Sequence, residues 1–183
     1  MGYVGVVYEA PLQPFAFLLY VLEFAFLITM AVMRERKFIS YSMAYAFTGL
    51  SGFVTGVIIG GYPAYMSVVG ISATETLGIF AVLSLVAIFS GEIFLGMGKF
   101  LYSTLIALIV VNVLSWLFFH KSGSQLALSS ITGVLFCEFI LYDIQRAYRK
   151  KHAETIPMLV VNVYLDILNL FLSVLNLNAF SRK

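Results

Sequence analysis

Six carboxylic side chains, Glu23, Glu75, Glu92, Glu138, Asp143 and Asp166, fall within long apolar segments in which no Lys or Arg occurs. A carboxylate at the centre of a bilayer costs about 2.5–3.5 kcal/mol on insertion scales, so acids kept at such depth face a bundle interior and mark ion routes or proton relays. A single sign of charge points to a cation or a proton. The competing reading is interhelical hydrogen bonding, in which the same groups hold helices together and move nothing. Two of the six, Asp143 and Asp166, stand near the end of the chain in adjacent segments and invite the question of whether they meet.

The elements that must position them are membrane helices. Hydrophobic residues make up 61% of the 183, charged residues 11%, and the mean hydropathy is +0.98, which leaves too little polar surface to cover a water-soluble globule. About 20 apolar residues cross the hydrocarbon core as a helix. Stretches of that kind run from Pro14 to Met33, Ile39 to Gly60, Ala73 to Leu95, Phe100 to Phe119, Leu126 to Tyr142 with a polar continuation, and Ile156 to Leu177. The pattern predicts an all-α, polytopic bundle of six spans forming one transmembrane domain over residues 1–183. The first span is followed by Arg34, Glu35, Arg36 and Lys37, with no basic residue before it and no small-residue cleavage site, so it reads as an anchor. Val6 stands where myristoylation requires Ser or Thr. Cys137 is the single cysteine, so the chain forms no internal disulfide.

Six spans put both termini on one side. The connections after the first, third and fifth spans carry Arg34, Arg36, Lys37, Lys99, Arg146, Arg149, Lys150 and Lys151, against Lys121, Arg182 and Lys183 opposite. By the positive-inside rule both termini are expected outside the cytoplasm, an arrangement that the absence of an ancestral preceding helix would explain. Gly61 to Ser72, with Pro63, is expected to be a plain external loop. In the second span, Gly49, Gly52, Gly56 and Gly60 recur at three- and four-residue steps and are expected to admit a neighbouring backbone.

The last span carries Asn162, Asp166, Asn169, Ser173 and Asn176 at steps of four, three, four and three, one polar stripe on an apolar rod. Asp166 lies nine residues beyond Pro157, about 13 Å along a helix rising 1.5 Å per residue, near the bilayer midplane. Asp143, seven residues before Lys150, lies about 10 Å deep by the same rise. Neighbouring antiparallel helices joined by a short connection pack side by side, so the two carboxyls can meet. Held together in a low dielectric, they cannot both ionise cheaply and share a proton. Glu23 and Arg34, eleven residues apart, fall on nearly one face of the first span.

The segment Leu141-Tyr142-Asp143-Ile144-Gln145, followed by Val163-Tyr164-Leu165-Asp166-Ile167-Leu168-Asn169-Leu170-Phe171, resembles the paired signature that closes members of the Bax inhibitor-1, or transmembrane Bax inhibitor motif, family. Leu22-Glu23 and Met33-Arg34 are similar to that family's second helix, and the resemblance extends over all six spans. Known members have seven helices, so the chain looks like one that lacks the first.

The resemblance implies a pH-sensitive calcium leak, with Asp143 and Asp166 as the proton-sharing sensor pair and tentative calcium ligands. It also implies Arg34 as a latch against Asp143 and Glu23 as an acid of the ion path, to which the polar stripe is expected to add Asn162 and Asn169. Glu138 departs from the family pattern and reads either as an added ligand of the ion path or as a protonated or helix-bonded acid; it lies five positions before Asp143, about 140° round the helix and off the pair's face. A shared proton favours the closed state, so the leak is expected to grow from acidic toward mildly alkaline pH. Calcium would be the transported ion rather than a cofactor, and no cofactor is expected. The expected partners are calcium, protons and the lipid bilayer, with no nucleic acid and a monomer favoured. A prokaryotic cell membrane is the expected location, an organelle membrane of a eukaryote the alternative.

Two rival classes stand beside the leak. An intramembrane aspartyl protease also pairs aspartates on neighbouring helices, but the Gly-x-Gly-Asp that it needs is absent around Asp166, which follows Val163-Tyr164-Leu165. A non-conducting interaction protein acting on stress or death pathways would use the aspartates only for packing. His120 and His152 fall in connections on opposite sides, and the chain offers no Gly-rich phosphate loop, nucleophile elbow or Cys pair. The sequence therefore predicts no enzyme.

Overall fold

A backbone surrounded by hydrocarbon has no water to satisfy its N–H and C=O groups, so apolar stretches of this length resolve into helices that bond internally. The computed structural model describes residues 25, 26, 29, 37–60, 66–118, 122–149 and 156–181, and no strand occurs among them. Five helices result: α1 (Lys37–Gly60), α2 (Met66–Phe89), α3 (Gly98–Phe118), α4 (Ser122–Arg149) and α5 (Ile156–Ser181), with a 3-10 turn, Ile93–Met97, before α3. Four stretches are long and apolar enough to cross a membrane: Ser67–Phe89, Ile93–Asn112, Leu126–Arg149 and Ile156–Ser181. The chain is an integral membrane protein. The described residues thus carry four of the six expected spans. The first expected span lies outside them but for residues 25, 26 and 29, and the second forms α1, which is not among the four.

Two boundaries differ from expectation. The loop expected over Gly61 to Ser72 is helical from Met66 onward, because Met66, Val68 and Val69 continue the apolar run once Pro63 has passed. The third span, expected to run unbroken to Leu95, stops at Phe89. Ser90 donates its N–H to the Val86 carbonyl at 2.9 Å, and Gly91 then takes φ of 74°, a left-handed conformation that glycine adopts without a Cβ penalty.

Residues divide into two compact units, 1–64 with 153–162, and 65–152 with 163–183. In the first, α1 buries Ala44, Phe47, Ser51 and Val54, spaced three, four and three. Gly49, Gly52 and Gly56 are exposed, and a Cβ built at Gly49 or Gly56 meets nothing within 4 Å among the described residues. The glycine stripe expected to pack is therefore turned roughly 150° from the buried face, at 100° per residue. Gly60's surroundings lie outside the described residues.

In the second unit α4 is the central element and packs against α2, α3 and the 3-10 turn. Its buried side, Leu135, Phe136, Phe139 and Ile140, joins Leu101 of α3 and Leu170 of α5 in one core, which Ile79 and Leu83 of α2 complete. Tyr102 meets Phe139 edge to face, with ring centroids 5.5 Å apart. Lipid tails are as apolar as these side chains, so close packing and hydrogen bonds, rather than escape from water, hold such helices together.

Candidate functional site

One turn beyond Phe139 the buried stripe of α4 reaches Asp143, 2% exposed, and the buried side of α5 presents Asp166, 4% exposed. Leu170, one turn further along α5, sits in the shared core, and a Cβ built at Gly133 of α4 would stand 3.5 Å from Ser173 Cβ of α5. The two carboxyl groups lie within hydrogen-bonding reach of each other. An ionised carboxylate only accepts, so a hydrogen bond between them requires a proton on one of them. The outer oxygens, Asp143 Oδ1 and Asp166 Oδ2, are buried without a hydrogen-bond partner. Arg146 Nη1 approaches Asp143 Oδ1 at 3.8 Å, an ion-pair distance too long for a hydrogen bond. The arrangement is a pair of buried carboxyl groups within reach of each other, with one cation at its edge.

The remaining expected site residues fall less closely together. Glu138 is half-buried on α4, about 140° round the helix from Asp143. Asn169 turns inward upon its own helix, donating Nδ2 to the Leu165 carbonyl at 2.8 Å, and Ser173 likewise bonds the Asn169 carbonyl at 2.8 Å. Two of the five residues of the polar stripe thus bond their own backbone. Asn162 is half-buried one turn before Asp166 and belongs to the first unit. Arg34 and Glu23 lie outside the described residues, and the cation that the structure sets beside Asp143 is Arg146. Among the described residues no three His, Cys, Asp or Glu side chains gather as metal ligands. Calcium takes six to eight oxygens, about three times what two monodentate carboxylates offer, so the pair alone does not complete a calcium shell.

Gln145 escaped the sequence reading. It is fully buried, and its Oε1 accepts from the N–H groups of Phe94 at 2.8 Å and Leu95 at 3.1 Å. Its Nε2 donates to the Gly91 carbonyl at 2.6 Å, the Ala87 carbonyl at 3.2 Å and Ser90 Oγ at 3.4 Å. One side chain thereby fastens the break after α2 to the helix that carries Asp143, two residues away. A second polar contact joins α2 and α5: Asn178 Nδ2 donates to Ser72 Oγ at 3.0 Å and to Glu75 Oε2 at 2.6 Å.

Comparison with known proteins places these features in a lineage. The family described as inhibitor of apoptosis-promoting Bax1 matches residues 1–183. An uncharacterised protein of Campylobacter jejuni is 31% identical over 163 residues, covering 87% of this chain and 70% of the relative. Mouse protein lifeguard 4 is 28% identical over 178 residues, covering 97% and 73% respectively. A Golgi anti-apoptotic protein of vaccinia virus is 36% identical over 87 residues, 48% of this chain and 36% of the viral one.

Proposed function

The chain belongs to the Bax inhibitor family of membrane proteins, and from that premise we propose that it is a calcium leak governed by the proton shared between Asp143 and Asp166. The observation that carries the reading is the approach of two buried carboxyls to within hydrogen-bonding reach inside membrane-spanning helices, with one oxygen on each that lacks a hydrogen-bond partner. A buried, half-charged pair costs free energy that simple helix packing does not require. The reading keeps six spans with both termini outside the cytoplasm, one domain, no enzymatic activity and no cofactor. Bacterial relatives favour a prokaryotic cell membrane.

The mechanism is a linkage between protonation and separation of the helices. In the closed state the pair holds one proton between its oxygens; once α4 and α5 part and water enters, both carboxylates ionise and that proton is released. The closed state therefore binds more protons than the open one, and protons favour closure. That advantage is complete at acidic pH and is lost as pH rises through the range in which the closed pair gives up its proton. The freed carboxylates then attract a divalent cation. Arg34 remains the proposed latch and Glu23 and Glu138 path acids; Arg146, at 3.8 Å, is the cation that tempers the pair's charge.

Calcium entry into indicator-loaded vesicles holding the purified chain tests this: entry above that of empty vesicles, rising from acidic to mildly alkaline pH, is expected. The name of the viral relative favours a second reading, a non-conducting protein that acts on death pathways through partners. It predicts no flux at any pH.

A further inference from the structure

We propose that the hollow beside the N-terminal end of α3 binds the headgroup of an anionic phospholipid. The hollow has a volume of about 680 Å³ and is lined by Leu95, Gly96, Gly98, Lys99, Tyr102 and Tyr142. That volume lies within the range of about 300–1,000 Å³ typical of ligand sites. Its polar side chains can all donate: the Lys99 ammonium and the hydroxyls of Tyr102 and Tyr142. No acidic side chain is among the described residues that line it.

The floor depends on Gly98. Tyr142 lies so close over it that a Cβ there would stand 2.6 Å from the phenol oxygen. Arg146 stacks on Tyr142, its guanidinium 5.5 Å from the ring centroid, and also engages the Tyr102 hydroxyl. Lys99 and Arg146 thus flank the hollow with two positive charges, of which Arg146 is partly answered by Asp143 and Lys99 is exposed. Basic pockets between membrane helices, edged by hydroxyl donors, suit a phosphodiester, which brings one negative charge and several acceptor oxygens.

A lipid is favoured over a free anion by what lies beyond the hollow. From Tyr102, 43% exposed, the same face of α3 continues through Ile106, 64% exposed, and Val110, 50% exposed, at four-residue steps. This apolar track along a membrane-spanning segment gives an acyl chain a surface to follow while its phosphate sits against Lys99. A phosphate ion would gain nothing from it.

The purified full chain, freed of native lipid in a zwitterionic detergent, is titrated with dioctanoyl phosphatidylglycerol, dioctanoyl phosphatidylcholine and inorganic phosphate. Phosphatidylglycerol should bind more tightly than phosphatidylcholine, and phosphate should not displace it. Lys99→Gln should weaken phosphatidylglycerol about fivefold, the size expected for one basic residue at an anionic lipid surface. Arg149→Gln, the same change in net charge on the last turn of α4 where Arg149 stacks on Tyr148, should leave binding within about twofold. Equal affinity for the two lipids, equal losses in the two variants, or displacement by phosphate would each overturn the assignment.

Discussion

Replacing Gln145 by Leu keeps the volume and removes every hydrogen bond across the break after α2. The N–H groups of Phe94 and Leu95 open the 3-10 turn, where a helix start leaves donors without intrahelical partners, and Glu92 before it supplies no side-chain cap. Gln145 is their acceptor, and on its other end it satisfies the Gly91 carbonyl at 2.6 Å and the Ala87 carbonyl at 3.2 Å. A buried donor left unmade costs about 1–3 kcal/mol, and since the turn is only half-buried the lower part of that range applies to each N–H. The carbonyls, at the frayed end of α2, add less. The expected loss is about 2–4 kcal/mol, or roughly 5–15 °C in melting temperature for a chain of this length. Thermal unfolding of the purified protein in mild detergent measures it. Asn169→Leu serves as comparison, because that amide reaches only the Leu165 carbonyl of its own helix and should cost under about 1 kcal/mol. Equal shifts in the two variants, or no shift for Gln145→Leu, would refute the assignment of Gln145 as the clamp of the break.

The other expectations concern single contacts. Gly98→Ala should destabilise by about 1–2 kcal/mol, because the new Cβ would stand 2.6 Å from the Tyr142 oxygen and 2.9 Å from its Cζ, and Tyr142→Ala should absorb that cost; additive effects in the melting temperatures would contradict the contact. Gly56→Leu, on the exposed face of α1, should leave the melting temperature unchanged or raise it, since Leu is the better helix former by up to about 1 kcal/mol; a large fall would place an undescribed neighbour on that face. Asn178→Ala should cost about 1 kcal/mol, chiefly by depriving buried Ser72 of its donor, since Glu75 is exposed, whereas Glu75→Gln retains an acceptor and should cost less; the reverse order in thermal unfolding would count against the bond.

The meeting of Asp143 and Asp166 was legible because depth along two helices follows from the fixed rise per residue, and both depths could be counted from Pro157 and Lys150. The polar stripe of α5 was legible as a pattern but not in its use: Asn169 and Ser173 bond their own backbone, while Asn178, beyond the stripe, reaches α2. Spacing alone does not distinguish a packing stripe of glycines from an exposed one, and in α1 the bulkier Phe47 and Val54 occupy the buried side. Gln145 resembled a surface residue of the basic end of α4, because its partners lie 50–58 positions earlier in the chain. The Ser90-Gly91 dipeptide was the available signal for the break that it fastens. Arg146 was hidden among the basic residues that set topology, although three positions on a helix put it beside Asp143.

Calcium flux through vesicles holding the wild-type chain, Asp143→Asn, Asp166→Asn and the double variant, each followed from acidic to mildly alkaline pH, tests the shared proton most directly. The account predicts a wild-type leak that rises with pH, loss of that dependence in either single variant, and little further change in the double, the non-additivity of two groups that titrate as one. A wild-type flux that is flat or that grows on acidification, or single effects that simply add, would contradict it.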